Sequence, residues 1–292
     1  MRLTAWPPPP AMTKTSLQEW ISQTRQQLAP VREFAALETY ALAALVLHQP
    51  REWLITHGDT PLSDEQLQQL EQKIGQLKSG IPLPYLTGKQ AFYGLDFIVT
   101  PDVLIPRPET ELLVEEAIAW LEARPDARTM IDVGTGSGII PIALADHIPD
   151  LTATALDLSG AALAVAEENI RRFSLLERIT TLQDDLLGET ALQAHLITAN
   201  LPYIPSARLQ ALEVTAHEPR LALDGGADGF SLIRRLLAQL PAHLLQGGLA
   251  LLEIDCTHAA IAITEATKVL TSAKISVLND LAGLPRVLKI QT

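Results

Sequence analysis

At 292 residues, of which 47% are apolar and 4% aromatic, the chain is long enough for a substantial core and for more than one average domain. One cysteine, Cys256, excludes an internal disulfide, and the seven histidines form no Cys or His pairs at ligand spacing, so no metal is expected. The net charge of −12 is uneven, with 8 basic against 10 acidic residues in 1–104 and 14 against 24 in 105–292, the wrong sign for a non-specific nucleic-acid binder.

The N-terminal MRLTAWPPPP has no apolar targeting core, and no uninterrupted apolar stretch is long enough to span a bilayer, so a cytoplasmic protein without membrane contact is expected. The proline run is expected to be a disordered or polyproline tip. Ser16 and Glu19 then make a capping box, and Leu17, Trp20, Ile21 and Leu28 share one helical face. Residues 31–48 repeat apolar positions at helical spacing. Ser63 with Gln66 caps a further helix that turns Leu67, Leu70, Ile74 and Leu77 inward before Gly80 stops it. Residues 13–80 thus read as a helical domain. AFYGLDFIV, around Gly94 and Asp96, reads as a hairpin within a linker spanning 81–108 that Pro101, Pro106 and Pro108 punctuate.

From residue 109 to 292 the pattern becomes alternating strand and helix. TMIDV (129–133), TATALD (152–157), ITTL (179–182), LITAN (196–200) and LALLEI (249–254) are apolar runs, most of them separated by amphipathic segments. This predicts a mostly parallel sheet covered on both faces. KISVL (274–278) and RVLKI (286–290) flank AGLP closely enough to pair as a terminal antiparallel hairpin.

The first of these strands runs into Asp132-Val-Gly134-Thr135-Gly136-Ser137-Gly138. Alternate glycines let the chain turn sharply and let a ligand approach the backbone, next to the free N–H groups of a helix start. A dinucleotide fingerprint would place its third glycine at Ile139, and a Walker loop needs Gly-Lys-Ser/Thr, so neither fits. Asp157 ends the second strand, where a carboxylate can accept hydrogen bonds from both ribose hydroxyls. This loop and acid resemble those of the class I S-adenosylmethionine-dependent methyltransferases. The resemblance implies a Rossmann-like sheet with an antiparallel terminal strand and S-adenosylmethionine as cofactor. Gly134, Thr135, Gly136, Ser137 and Gly138 would line its methionine and ribose side, Asp157 would hold the ribose, and Asp185 and Leu186 would meet the adenine. Taken alone, Asp184 and Asp185 read equally well as an acidic turn.

LITAN ends in Asn200-Leu201-Pro202-Tyr203, at the place where methyltransferases of planar nitrogens carry Asn/Asp-Pro-Pro-aromatic. An amide nitrogen is a poor nucleophile because its lone pair is delocalised. Acceptors at the Asn200 side-chain carbonyl and at the next backbone carbonyl could hold its N–H groups and favour pyramidalisation, with Asn200 also bordering the cofactor. Pro202 restricts the turn, and the Tyr203 ring would pack on the planar group.

Across residues 15–290 the chain resembles the release factor glutamine methyltransferase family. The residues that carry this are PYLTGKQAFYGLDF, IPRPETELLVE (105–115), the glycine loop, the NLPY turn and HEPRLALDGGADG (217–229). The resemblance implies methylation of the glutamine side-chain amide nitrogen in the Gly-Gly-Gln motif of class-one peptide chain release factors, with the helical domain recognising that substrate. It also implies that IPRPETE helps roof the cofactor site and that Asn200, Leu201, Pro202, Tyr203 and Phe92 contact the amide, although an aromatic in a hairpin also reads as packing. His217, Glu218 and Cys256 read as structural. The family usually has proline where this chain has Leu201, which leaves that backbone carbonyl less rigidly held. Asn-Leu-Pro-Tyr is also the form found in ribosomal RNA adenine methyltransferases. These are the alternative, although their extra helical domain follows the catalytic one and an acidic surface suits RNA badly. A non-catalytic cofactor-binding module is the third reading.

Overall fold

The computed structural model describes residues 15–188, 191–209, 211–212 and 216–292; the N-terminal proline run lies outside them. The chain divides into two compact units, residues 1–87 and 88–292.

In the first unit, α1 (Leu17–Leu28) and α4 (Asp64–Lys78) each begin in a capping box, Ser16 with Glu19 and Ser63 with Gln66. α2 (Ala35–Leu47) starts later than the apolar repeat from residue 31 suggests, because residues 29–34 form turns and leave Val31 and Phe34 exposed. With α3 (Arg51–Thr56) and α5 (Leu83–Thr87), these helices enclose a core containing Leu17, Trp20, Leu42, Leu54, Leu70 and Ile74.

The second unit opens with the antiparallel hairpin of β1 (Lys89–Phe92) and β2 (Leu95–Ile98). The hairpin is fastened to this unit. Asn169, wholly buried, accepts from the Ile98 backbone N–H and donates to the Ile98 carbonyl and to the Ser137 carbonyl in the glycine loop. After α6 (Glu111–Glu122) come β3 (Thr129–Val133), α7 (Ile139–His147), β4 (Thr152–Asp157), α8 (Gly160–Arg172), β5 (Ile179–Gln183), β6 (Ala194–Ala199), α9 (Ser206–Leu209), α10 (Ser231–His243), β7 (Leu244–Glu253), α11 (Ala259–Val269), β8 (Lys274–Asn279) and β9 (Pro285–Gln291). The seven strands stand in the order β5-β4-β3-β6-β7-β9-β8, with β3 to β7 parallel and β9 antiparallel to both of its neighbours, β7 and β8.

Alternate residues of the central strands enter two different cores. Met130, Leu196 and Leu251 join Val114, Leu121 and Leu144 of α6 and α7, whereas Ile131, Ile197 and Leu252 join Leu236 and Leu240 of α10 and Ala262 of α11. Both faces are therefore covered, and the strands are continuous apolar runs for that reason. Strand order reverses between β3 and β6, the point of a doubly wound sheet at which a crevice opens beyond the strands' carboxyl ends. Among the described residues no helix is long and apolar enough to cross a membrane.

Candidate active site

Register lines up the functional loops. Val133 pairs with both Leu156 and Ala199, and Ala199 pairs with Leu252. The next residue of each strand, Gly134, Asp157, Asn200 and Glu253, therefore sits along one carboxyl edge of the sheet. A cavity of about 270 Å³ opens at that edge, within the second unit. Gly134, Thr135, Gly136, Ser137, Asp157, Asp185, Leu186, Asn200, Leu201 and Pro202 all line it.

The glycine loop is shaped for a ligand. At Gly136 φ is +56° and an added Cβ would meet nothing within 4 Å, so that the backbone there borders open space. Gly134 is held for the opposite reason, since its Cβ would lie 2.8 Å from Leu201 Cδ2. Gly138 stands behind the cavity wall as the left-handed N-cap of α7, so its part is in the turn and not in the lining. The Asp157 carboxylate accepts from the backbone N–H groups of Gly136 (2.9 Å) and Ser159 (2.8 Å), which fixes it while leaving lone pairs toward the cavity. Burial raises its pKa, and those same N–H groups oppose the rise. Thr135 Oγ1, on the cavity wall, is buried and without a hydrogen-bond partner. Beneath the loop, Asp132 is wholly buried and its Oδ1 accepts from Thr198 at 2.6 Å. Its pKa is pushed up to about 6, chiefly by desolvation. Asp185 is half-exposed and paired with Arg235 at 2.8 Å, and Leu186 is buried with φ +61°.

Two further segments close the cavity. Pro106, Arg107 and Thr110 come from IPRPETE, and Pro219, Leu221 and Ala222 from the 217–229 stretch. They are clasped together: buried Glu218 accepts from Arg107 Nη2 at 2.5 Å and from the Ile105 N–H at 3.3 Å. Asn200 leaves β6 half-buried, and its Nδ2 donates to Thr110 Oγ1 at 3.0 Å. Leu201 is 4% exposed, with its side chain in the core against Gly134. Packing thus supplies some of the restraint that a proline ring would give.

Chains of this construction are found among known proteins. Residues 19–88 match the PrmC N-terminal domain and residues 109–217 the methyltransferase small domain. A release factor glutamine methyltransferase from Moorella thermoacetica is 40% identical over 252 residues, 86% of this chain and 89% of that one. One from Coxiella burnetii is 34% identical over 279 residues, 94% of this chain and 98% of that one. This chain belongs to the release factor glutamine methyltransferase family. A methyltransferase from Pyrococcus furiosus, 16% identical with a TM-score of 0.51 over 69% of this chain and 90% of that one, shares the fold.

Two aromatic residues stand elsewhere than the family resemblance suggests. Phe92 does not reach the cavity: it is 2% exposed and packs edge-on to Phe97 in the core of the second unit, so the packing reading of the hairpin aromatic is the one the structure supports. Tyr203 is not part of the cavity wall either. It is half-buried, and the turn that carries it is laced to the 217–229 stretch by Ile204 N–H to Leu223 and Gly225 N–H to Ile204. Desolvation, with the nearby Glu253 charge, raises its hydroxyl pKa and keeps it a neutral phenol. The sequence reading missed Thr110 and Glu253, both fully buried and joined by a 2.7 Å hydrogen bond from Thr110 Oγ1 to Glu253 Oε2. A signal was available: the glutamate in LALLEI is a charge inside an apolar run that packs on both sides.

Proposed function

We infer that this methyltransferase uses S-adenosylmethionine and acts on the side-chain amide nitrogen of the glutamine in the Gly-Gly-Gln motif of class-one peptide chain release factors. The observation that carries the reading is membership of the family across both units, because the match includes the helical domain as well as the catalytic one. The ribosomal RNA adenine reading shares only the Asn-Leu-Pro-Tyr turn and is not favoured, and neither is a non-catalytic module.

The cavity's chemistry fits the cofactor. An unsatisfied Thr135 hydroxyl, the open face of Gly136 and a fixed Asp157 carboxylate offer a donor, close backbone approach and acceptors. Thr135, Gly136 and Ser137 would hold the methionine and ribose side, Asp157 the ribose hydroxyls, and Asp185 and Leu186 the adenine. When bound, S-adenosylmethionine supplies an electrophilic methyl on a sulfonium. Asn200 presents its side-chain carbonyl oxygen to one substrate N–H, and the Leu201 backbone carbonyl takes the other, so the nitrogen lone pair is drawn out of conjugation. Leu201, buried against Gly134, holds that carbonyl, while Pro202 limits the turn. Tyr203, outside the cavity wall, stays a neutral phenol and removes no proton. No strong base is needed, because the nitrogen loses its proton to solvent after methylation. The first unit recognises the folded release factor; exposed Val31, Phe34 and Leu37 offer it apolar contact area.

Asn200→Ala tests the assignment. Cofactor affinity by calorimetry should stay within a few fold, while single-turnover methylation of a release factor should fall by roughly 10²–10³. Fragmentation of the product should place the methyl on the Gly-Gly-Gln glutamine. Methyl groups on ribosomal RNA adenine, or undiminished transfer by the variant, would overturn the reading.

A further inference from the structure

We propose that Glu253 and Thr110 form a hydrogen-bond relay that fixes which end of the Asn200 amide faces the substrate, which makes both of them positioning residues for methyl transfer. The inference rests on the role given to Asn200 above and adds what sets its orientation.

An asparagine amide carries an acceptor at one end and two donors at the other in nearly the same shape, so only its partners decide which way it points. Here the Asn200 NH₂ donates to Thr110 Oγ1 at 3.0 Å. That oxygen is available as an acceptor because the single hydroxyl hydrogen of Thr110 is committed to Glu253 Oε2 at 2.7 Å. An ionised carboxylate has no hydrogen to give back, so the direction of the chain is forced. Thr110 is 0% and Glu253 1% exposed, which leaves water no access to either group. The Asn200 oxygen is the end that remains for the substrate N–H.

The three residues arrive from distant parts of the sequence. Thr110 ends the short 3₁₀ turn Pro108–Thr110, Asn200 follows β6 and Glu253 ends β7, and the Ala199–Leu252 pairing sets the last two side by side. Nothing in the sheet itself calls for a buried carboxylate here. Keeping one in an apolar edge is costly unless it is hydrogen-bonded, and its partners are the relay.

Protonating Glu253 reverses the chain. A carboxylic acid can donate to Thr110, the Thr110 hydrogen then turns to Asn200, and the Asn200 amide flips to accept it. Its NH₂ would then face the substrate N–H donor to donor. Burial raises Glu253 to about 7; hydrogen bonds from Thr110 and Asn200 and the charge of Arg286 oppose the rise, and Glu109 adds to it. Tyr203, the remaining titratable neighbour, stays neutral in this range. The productive orientation is therefore present above that pKa and lost as the pH falls through it.

The test uses the full-length protein and single-turnover methylation of a release factor at saturating S-adenosylmethionine, from about pH 5.5 to 9. The wild type should show an acidic limb with its midpoint at about 7, and the ¹³C resonance of the Glu253 carboxyl in the cofactor-free protein should titrate at the same midpoint. Glu253→Gln, which accepts from Thr110 and does not titrate, should lose that limb. Thr110→Val should lower the rate roughly 10²-fold with cofactor affinity within about 3-fold, and Thr110→Ser should recover most of it. In an Asn200→Ala background, Thr110→Val should cost nothing more. If Asn200→Ala is slow while Thr110→Val is not, or if Glu253→Gln keeps the limb, the relay is wrong and the role of Asn200 stands. If Asn200→Ala retains full rate, the role of Asn200 fails and the relay with it.

Discussion

Gly134→Ala and Leu201→Ala, made singly and together, probe whether the NLPY turn is seated on the glycine loop. At Gly134 φ is +73°, and a new Cβ would lie 2.8 Å from Leu201 Cδ2. The left-handed backbone costs an alanine about 1–2 kcal/mol. The overlap adds about 1 kcal/mol or more, because the leucine it strikes is 4% exposed and cannot swing into solvent. Leu201→Ala alone removes a buried isopropyl group and should cost about 2–4 kcal/mol. In the double variant the overlap is gone and the new methyl occupies part of the space left, so the combined loss should fall short of the sum by about 1 kcal/mol or more. Denaturant unfolding followed by circular dichroism measures this directly, and in thermal melts of a unit the size of Gly88–Thr292 each kcal/mol is worth about 2–4 °C. Losses that add within about 0.3 kcal/mol would refute the seating. Leu201→Pro keeps most of the buried carbon and restricts φ by itself, so its stability should change by no more than about 1 kcal/mol with the methylation rate preserved or modestly raised.

Gly136→Val should abolish S-adenosylmethionine binding in calorimetry while leaving the far-ultraviolet dichroism unchanged, since its side chain would extend into the open cavity and not into the core. Asp132→Asn should stabilise the protein at high pH. The folded-state pKa of about 6 lies above the ordinary carboxylate value, so the folded state binds its proton more tightly and loses stability as the pH rises from about 4 to 6. The asparagine avoids that loss, and its gain at pH 8, on the order of 3 kcal/mol, should disappear in melts below about pH 4. A gain that is the same at both pH values would show that folding leaves the Asp132 pKa unshifted.

Much of the architecture follows from local rules. Capping boxes at Ser16 and Ser63 fix where α1 and α4 begin, because the side chain that satisfies the free N–H groups is adjacent in sequence. The bounds of TMIDV and TATALD coincide with β3 and β4, since an apolar run between turns is a local property. The glycine spacing and Asp157 were legible for a similar reason: both belong to a strand end and the turn beside it. The hairpin around Gly94 was legible as a hairpin, but its attachment to the second unit through Asn169 was not, because that contact joins residues 71 apart.

By itself, then, the sequence determined the elements, their alternation, the glycine loop and the NLPY turn, each set by neighbours in the chain. Only the tertiary structure decided which loops share an edge of the sheet. It placed Phe92 in the core and Gly138 behind the cavity wall, and it brought Thr110 and Glu253 to Asn200 through pairings 90 and 143 residues apart. The physical reason is that a hydrogen bond between buried side chains is chosen by strand register and by the exclusion of water, and neither is set within any one segment of the chain.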